Sequence, residues 1–109
     1  MSDAKKIANH IEGFTVDEIE DIRQHMFFRE HRRDGRIARF DASYEQAEAW
    51  QRLVSGKNIR ESDRVMLLHE QMESRIMKET GCTYEEAHKQ TNKVYNWAKA
   101  YLEEGGVFK

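Results

Sequence analysis

The sequence predicts a single all-α domain, a compact bundle of four main helices with a short helix before them. The 109 residues include no proline, so nothing in the chain forbids long helices. Helix-start signals recur at Thr15, Ser43 and Thr83, each followed three residues later by Glu or Gln. Apolar residues recur at helical spacing between these signals, and no segment alternates convincingly as a strand does.

The chain divides by these signals into a short N-terminal helix or tail (residues 1–14), a helical domain (15–104) and a loose C-terminus (105–109). Each main helix begins at a capping residue and carries an apolar stripe. The four are expected at about 15–30, 43–55, 62–80 and 83–104.

The third main helix is expected to bury one apolar stripe, formed by Val65, Leu68, Met72 and Ile76. Gly81 stands directly after this helix, where a left-handed residue ends helices most readily.

The best candidate for chemistry lies on the third helix, where His69 and Glu73 stand four residues apart and share a face. Imidazole titrates near neutrality, so His69 can act as a general base oriented by Glu73, with Glu70 in support. His88, on the next helix, and His25 are the candidates for the complementary acid or base. The structural alternative is a solvated pair or a hydrogen bond between helices.

A metal site is a second interpretation of the same residues. Zinc accepts histidine and carboxylate ligands, and His69, Glu73 and His88 would supply three of them. The H-E-x-x-H zinc signature needs a histidine where Glu73 stands, so that motif is absent. We therefore assign no metal to the site from the sequence, and zinc remains an alternative.

The most basic stretch is REHRRDGRIAR, residues 29–39. It contains five arginines and two acidic residues, and its Asp34-Gly35 pair predicts a turn. One interpretation is a solvated loop with weak salt bridges. The other is a phosphate site in which Arg29, Arg32 and Arg33 bind substrate while His25 and His31 handle protons. A nucleic-acid strand is one candidate ligand.

Composition excludes several classes of protein. A formal net charge of −2 argues against coating nucleic acid through bulk charge. A single cysteine, Cys82, rules out an internal disulfide. No apolar run is long enough for a membrane span, and the N-terminus lacks the core of a signal peptide. We expect a cytoplasmic protein, or one delivered into a target cell as part of a larger chain.

The order of several short motifs resembles that in small domains at the C-termini of bacterial polymorphic toxins and of phage minor head proteins fused to such toxins. The motifs are I-x-x-H-M-F-x-x-x-H, R-F-D-x-S, A-x-A-W-x-R-L-x-x-G, D-x-x-x-L-L-H-E-x-x-E and Y-x-x-A-H. The residues that match are Ile22, His25, Phe27, His31, Arg39, Phe40, Asp41, Ala47, Ala49, Trp50, Arg52, Leu53, Gly56, Asp63, Leu67, Leu68, His69, Glu70, Glu73, Tyr84, Ala87 and His88. The resemblance implies a toxin or effector domain with a polar site, and it covers about residues 15–100.

Two functions follow as hypotheses. The first is a compact helical hydrolase of toxin type that cleaves a phosphodiester, a nuclease, with an immunity protein or a cellular target as a candidate partner. The second is a non-catalytic phage or bacterial protein that binds a partner protein and inhibits or adapts it. Histidines that converge in one cleft would favour the enzyme, and histidines scattered over unrelated faces would favour the binding protein.

Overall fold

The computed structural model describes residues 1–28, 30–33, 36–39 and 43–108, the two middle ranges by their backbone alone. Within this part of the chain it confirms the all-α class. The α-helices are α1 (Asp3–His10), α2 (Val16–Arg23), α3 (Tyr44–Ser55), α4 (Glu61–Thr80), α5 (Tyr84–Asn92) and α6 (Trp97–Glu103). A π-helical segment, Gln24–Phe28, continues α2, and a short hairpin of β1 (Glu30–Arg33) and β2 (Arg36–Arg39) follows it.

The predicted helix starts are formed by local hydrogen bonds. Thr15 and Ser43 each accept from the backbone amide three residues on, and Glu18 and Gln46 return the bond, so both capping boxes are complete. The hydroxyl of Thr83 accepts from the backbone amide of Glu86 at the start of α5.

The hairpin was not predicted from the sequence. Its strands pair antiparallel, with Glu30 opposite Arg39 and Arg33 opposite Arg36. The predicted Asp34-Gly35 turn lies outside the described residues. Strand β1 packs against α5, so the arginine-rich stretch runs beside the helix that carries His88.

Helix α4 lies at the centre of the fold and packs against α2, α3, α5 and α6. The apolar core lies mainly among α1, α2, α3 and α4. Its buried members are Ala4, Ile7, Ile19, Ile22, Met26, Ala49, Trp50, Leu53, Met66 and Leu67. None of the described helices combines the length and the apolar character that crossing a bilayer would require.

The face of α4 that is most deeply buried differs from the predicted stripe. Val65, Leu68, Met72 and Ile76 are only half-buried. The fully buried positions are shifted around the helix and include polar residues: Ser62, Asp63, Met66, Leu67, His69, Glu70, Glu73 and Ser74. Hydrophobic periodicity misplaced the face because it assumes that polar side chains point outwards, whereas these are bound to one another or to neighbouring helices.

The fourth predicted helix is two helices, α5 and α6, separated by residues 93–96. The carbonyl of Thr91 accepts from the amides of both Val94 and Tyr95, and the side chain of Asn96 then caps α6 by accepting from the amide of Lys99. Val94, which lies in this break, is 59% exposed as a result.

Candidate metal and catalytic site

Three histidines from separate segments of the chain meet at the carboxylate of Glu73. One carboxylate oxygen, Oε1, lies 2.7 Å from Nε2 of His25. The other, Oε2, lies 3.1 Å from Nε2 of His69 and 2.9 Å from Nδ1 of His88. The four residues that the sequence singled out as catalytic candidates are therefore brought together at one point.

The local backbone explains how this point is assembled. His69 and Glu73 are one turn apart on α4, so their side chains project from the same face. His88 comes from α5, which doubles back along α4 after Gly81, a left-handed residue with φ of 68°. His25 comes from the π-helical segment, a kind of distortion that is frequent at functional sites.

The site is closed on one side and open on the other. The side chains of His25 and Glu73 have no solvent exposure and that of His69 is nearly as buried, whereas the His88 side chain is 44% exposed. The ring of His88 stacks on Tyr84, with centroids 5.6 Å apart and planes 20° from parallel. Solvent therefore reaches the cluster from the His88 side.

The partners of His69 fix which of its nitrogens carries a proton. Nδ1 lies 2.8 Å from the backbone carbonyl oxygen of Tyr95, which can only accept, so Nδ1 must donate. Nε2 faces the ionised carboxylate of Glu73, which also only accepts. Nε2 must then either carry a second proton or share a cation with Glu73.

Glu70 adds a second buried carboxyl group beside the first. Its Oε1 accepts a hydrogen bond of 3.2 Å from the side-chain amide of Gln46. Its Oε2 lies 3.4 Å from Nε2 of His25 and has no hydrogen-bond partner among the described residues. Glu70, proposed from the sequence only as support, thus lies inside the cluster.

Burial and charge move the pKa values of the acidic groups in opposite directions. Burial, and then the negative charge of Glu73, raise the pKa of Glu70 to about 8. Burial would also raise the pKa of Glu73, but hydrogen bonds from the three imidazoles outweigh it and hold the pKa below its ordinary value. Burial would lower the pKa of His69, but its bond to Glu73 and the nearby carboxylates raise it overall.

These shifts predict that the metal-free protein loses stability between about pH 4.5 and pH 8. A carboxyl group whose pKa is 4.5 when unfolded and about 8 when folded binds more protons in the folded state across that window, so unfolding becomes easier as the pH rises. The raised pKa of His69 acts in the same direction above about pH 6.5. Urea midpoints measured in chelator at pH 5, 6.5 and 8 should fall in that order, and Glu70→Gln should flatten the trend. Equal midpoints in the unmodified protein would contradict it.

A cavity of about 270 Å³ opens beside the cluster. It is smaller than the pockets of about 300–1,000 Å³ that hold drug-sized ligands. It combines polar and aromatic walls. Its walls include His69, Glu70 and His88 of the cluster and the aromatic side chains of Tyr84, Trp97 and Phe108, and His25 does not line it.

The structure describes the predicted phosphate-binding residues to different extents. Arg29 lies outside the described residues, and His31, Arg32 and Arg33 are described by backbone only, on β1. His25, predicted in one interpretation to handle protons beside these arginines, is fully buried, with its Nε2 2.7 Å from Glu73 Oε1.

Sequence reasoning missed two contributors to the site. Gln46 was predicted to cap α3, which it does through Oε1, while its Nε2 also holds Glu70. The carbonyl of Tyr95 was missed because a backbone group carries no signal in the sequence. The signal that could have indicated a free carbonyl here is Asn96, a favoured N-cap residue that marks the break between α5 and α6.

No protein-family model, curated protein or solved structure matches this chain.

Proposed function

We propose that this chain is a metal-dependent hydrolase of toxin or effector type that cleaves a phosphodiester. The observation that carries the proposal is the convergence of His69, Glu73 and His88 at the edge of a cavity. Two histidines and one carboxylate form a ligand set used by catalytic zinc sites, which keep a further position open for water or substrate.

The distances fit a shared metal ion as well as direct hydrogen bonds. Ligand atoms held about 2.1 Å from one ion stand about 3.0–3.4 Å from each other. The separations of 3.1 Å and 2.9 Å between Glu73 Oε2 and its two imidazoles are close to that range. Because Nδ1 of His69 donates to the Tyr95 carbonyl, the lone pair of Nε2 is left for a metal, the arrangement usual for metal-bound histidine.

The cation and the residues around it would have separate roles at such a site. A bound divalent cation would supply Lewis acidity and a water of lowered pKa. His88, half-exposed at the cavity mouth, is placed to meet a substrate first. Its stacking on Tyr84 limits the orientations of the ring.

The preference for a phosphodiester rests on the arginine-rich hairpin. Strands β1 and β2 carry Arg32, Arg33, Arg36 and Arg39, and β1 packs against α5, the helix of His88. Four arginines on a hairpin whose first strand packs against the helix of His88 suit a substrate with an anionic backbone.

The non-catalytic binding protein is the competing candidate, and it is favoured if the histidines occupy unrelated faces. Three of the five histidines instead share one carboxylate. That convergence supports the enzyme, although a structural polar core would also produce it.

The test is metal-dependent turnover. The purified chain, stripped with chelator and reloaded with Zn²⁺, Mn²⁺ or Mg²⁺, is expected to cleave at least one of single-stranded RNA, single-stranded DNA, duplex DNA or bis(p-nitrophenyl) phosphate. His88→Ala removes one of the three metal ligands and should lower the rate by about 10²-fold or more. Glu86→Gln, an exposed change on the same helix, should leave the rate unchanged.

A folded, metal-loaded protein that cleaves none of these four substrates would overturn the proposal. A pull-down of a partner protein that is abolished by charge reversal at Arg32, Arg33 and Arg36 would then favour the binding protein.

A further inference from the structure

A second set of ligand atoms lies on the opposite side of the Glu73 carboxylate. It consists of His25 Nε2, Glu70 Oε2 and Glu73 Oε1, whose ligand atoms all lie within 4.8 Å of one another. The set at the cavity uses Glu73 Oε2, so each oxygen of one carboxylate serves a different group. We call these the inner set (His25, Glu70, Glu73) and the outer set (His69, His88, Glu73).

The separations in the inner set resemble those in the outer set. Nε2 of His25 stands 2.7 Å from Glu73 Oε1 and 3.4 Å from Glu70 Oε2. These values lie near the spacing of about 3.0–3.4 Å between atoms that share one metal ion. The side chains of all three residues are almost completely buried.

Glu70 supplies an observation independent of that clustering. Gln46 donates to Oε1, which holds the carboxyl group in place, and this leaves Oε2 directed towards His25 with no hydrogen bond among the described residues. Apart from this ion-pair distance to His25, Oε2 has no partner among the described residues, and a buried oxygen without a hydrogen bond is destabilising. Two ionised carboxylates side by side would also repel each other. A cation among the three residues would satisfy Oε2 and remove the repulsion.

We propose that Glu73 bridges two divalent cations, an outer one held with His69 and His88 and an inner one held with His25 and Glu70. A carboxylate that gives one oxygen to each of two ions suits the separation of about 3.5–4 Å found in two-metal hydrolytic sites. This inference rests on the proposed function for the outer ion and adds the inner one. It also narrows the substrate class, because paired ions of this kind stabilise the attacking and leaving oxygens of phosphate esters.

The test counts metal ions bound to the full chain. Protein stripped with chelator is reloaded with Mn²⁺ or Zn²⁺, freed of excess metal by gel filtration and measured by elemental mass spectrometry. The unmodified chain should hold two ions. Glu70→Gln should hold one, His88→Ala should hold one, and Glu86→Gln should still hold two.

A spectroscopic measurement gives a second readout that does not depend on activity. Two Mn²⁺ ions bridged by a carboxylate couple magnetically, so the loaded protein should show the broad multiline spectrum of a coupled pair. Glu70→Gln should restore the six-line spectrum of a single ion. Glu70→Gln nearly preserves the size of the side chain, and near-ultraviolet circular dichroism would confirm that it folds.

The outcomes separate this inference from the proposed function. One ion in the unmodified chain, lost in His88→Ala and kept in Glu70→Gln, would overturn the inner site and leave the outer site standing. No bound ion in the unmodified chain would overturn both, and would mean that protons alone neutralise the cluster.

Discussion

Replacing Glu73 with alanine should lower the free energy of unfolding by about 3–5 kcal/mol, the usual loss when one partner of a buried charged group is removed. Glu73 accepts from three imidazoles, two of them almost completely buried. In the alanine variant these rings lose their shared acceptor, which for His25 lies in the interior. The free energy of unfolding of a domain is typically only about 5–15 kcal/mol, so this loss would be a large part of it.

The measurement is urea denaturation followed by the fluorescence of Trp50 and Trp97, in the presence of chelator. Glu73→Gln should lose less than Glu73→Ala, because its amide oxygen still accepts one of the three bonds. Glu86→Ala, at an exposed position, should change stability by no more than about 0.5 kcal/mol. A loss below about 1 kcal/mol in Glu73→Ala would show that Glu73 does not organise the cluster.

The parts of the fold that could be predicted from the sequence are those fixed by neighbouring residues. Thr15 and Ser43 cap their helices through bonds to residues three positions away. Gly56 and Gly81 end α3 and α4 in the left-handed conformation, with φ of 74° and 68°. Such contacts lie within one turn of a helix, so the spacing of residue types is enough to predict them.

The parts that could not be predicted depend on contacts between distant residues. His25 and Glu73 are 48 positions apart, and nothing in the spacing of either indicates that they are paired. The sequence predicted His25 both as a partner of His69 and as a proton-handling residue beside the arginines, and its spacing did not decide between the two. The π-helical segment and a buried carboxylate on another helix placed it in the interior.

The polar interior of α4 explains the main error in the predicted core. Periodicity favoured Val65 and Leu68 for the buried face, since apolar side chains are normally inside. In the structure His69, Glu70 and Glu73 take the more buried positions because each has partners across the helix interface. A helix face rich in histidine and glutamate at helical spacing is therefore ambiguous from sequence alone, and the structure was needed to resolve it.

Replacing Asp63 with alanine should destabilise the protein by a similar amount, about 3–5 kcal/mol, through a different buried ion pair. Asp63 is fully buried near the start of α4 and accepts two bonds from the Arg52 guanidinium, at 2.9 Å and 2.7 Å. It also accepts from the backbone amide of Arg60 at 3.0 Å. Alanine would leave a mostly buried guanidinium without its carboxylate and would remove a bond at the start of the helix.

The position of Asp63 makes this variant a control for the site itself. Asp63 lies ten residues before Glu73, about 15 Å along the axis of α4, and its side chain binds Arg52 and the backbone of Arg60 rather than either ligand set. Asp63→Ala should therefore lower the urea midpoint as much as Glu73→Ala does, while the folded fraction still binds metal as the unmodified chain does.

In the pair Arg52→Leu and Asp63→Leu, the double variant should lose less stability than the sum of the two single losses, because neither charge is then left without its partner. Additive losses would contradict the ion pair, and a change in metal content in Asp63→Ala would show that stability and metal binding are not separable along α4.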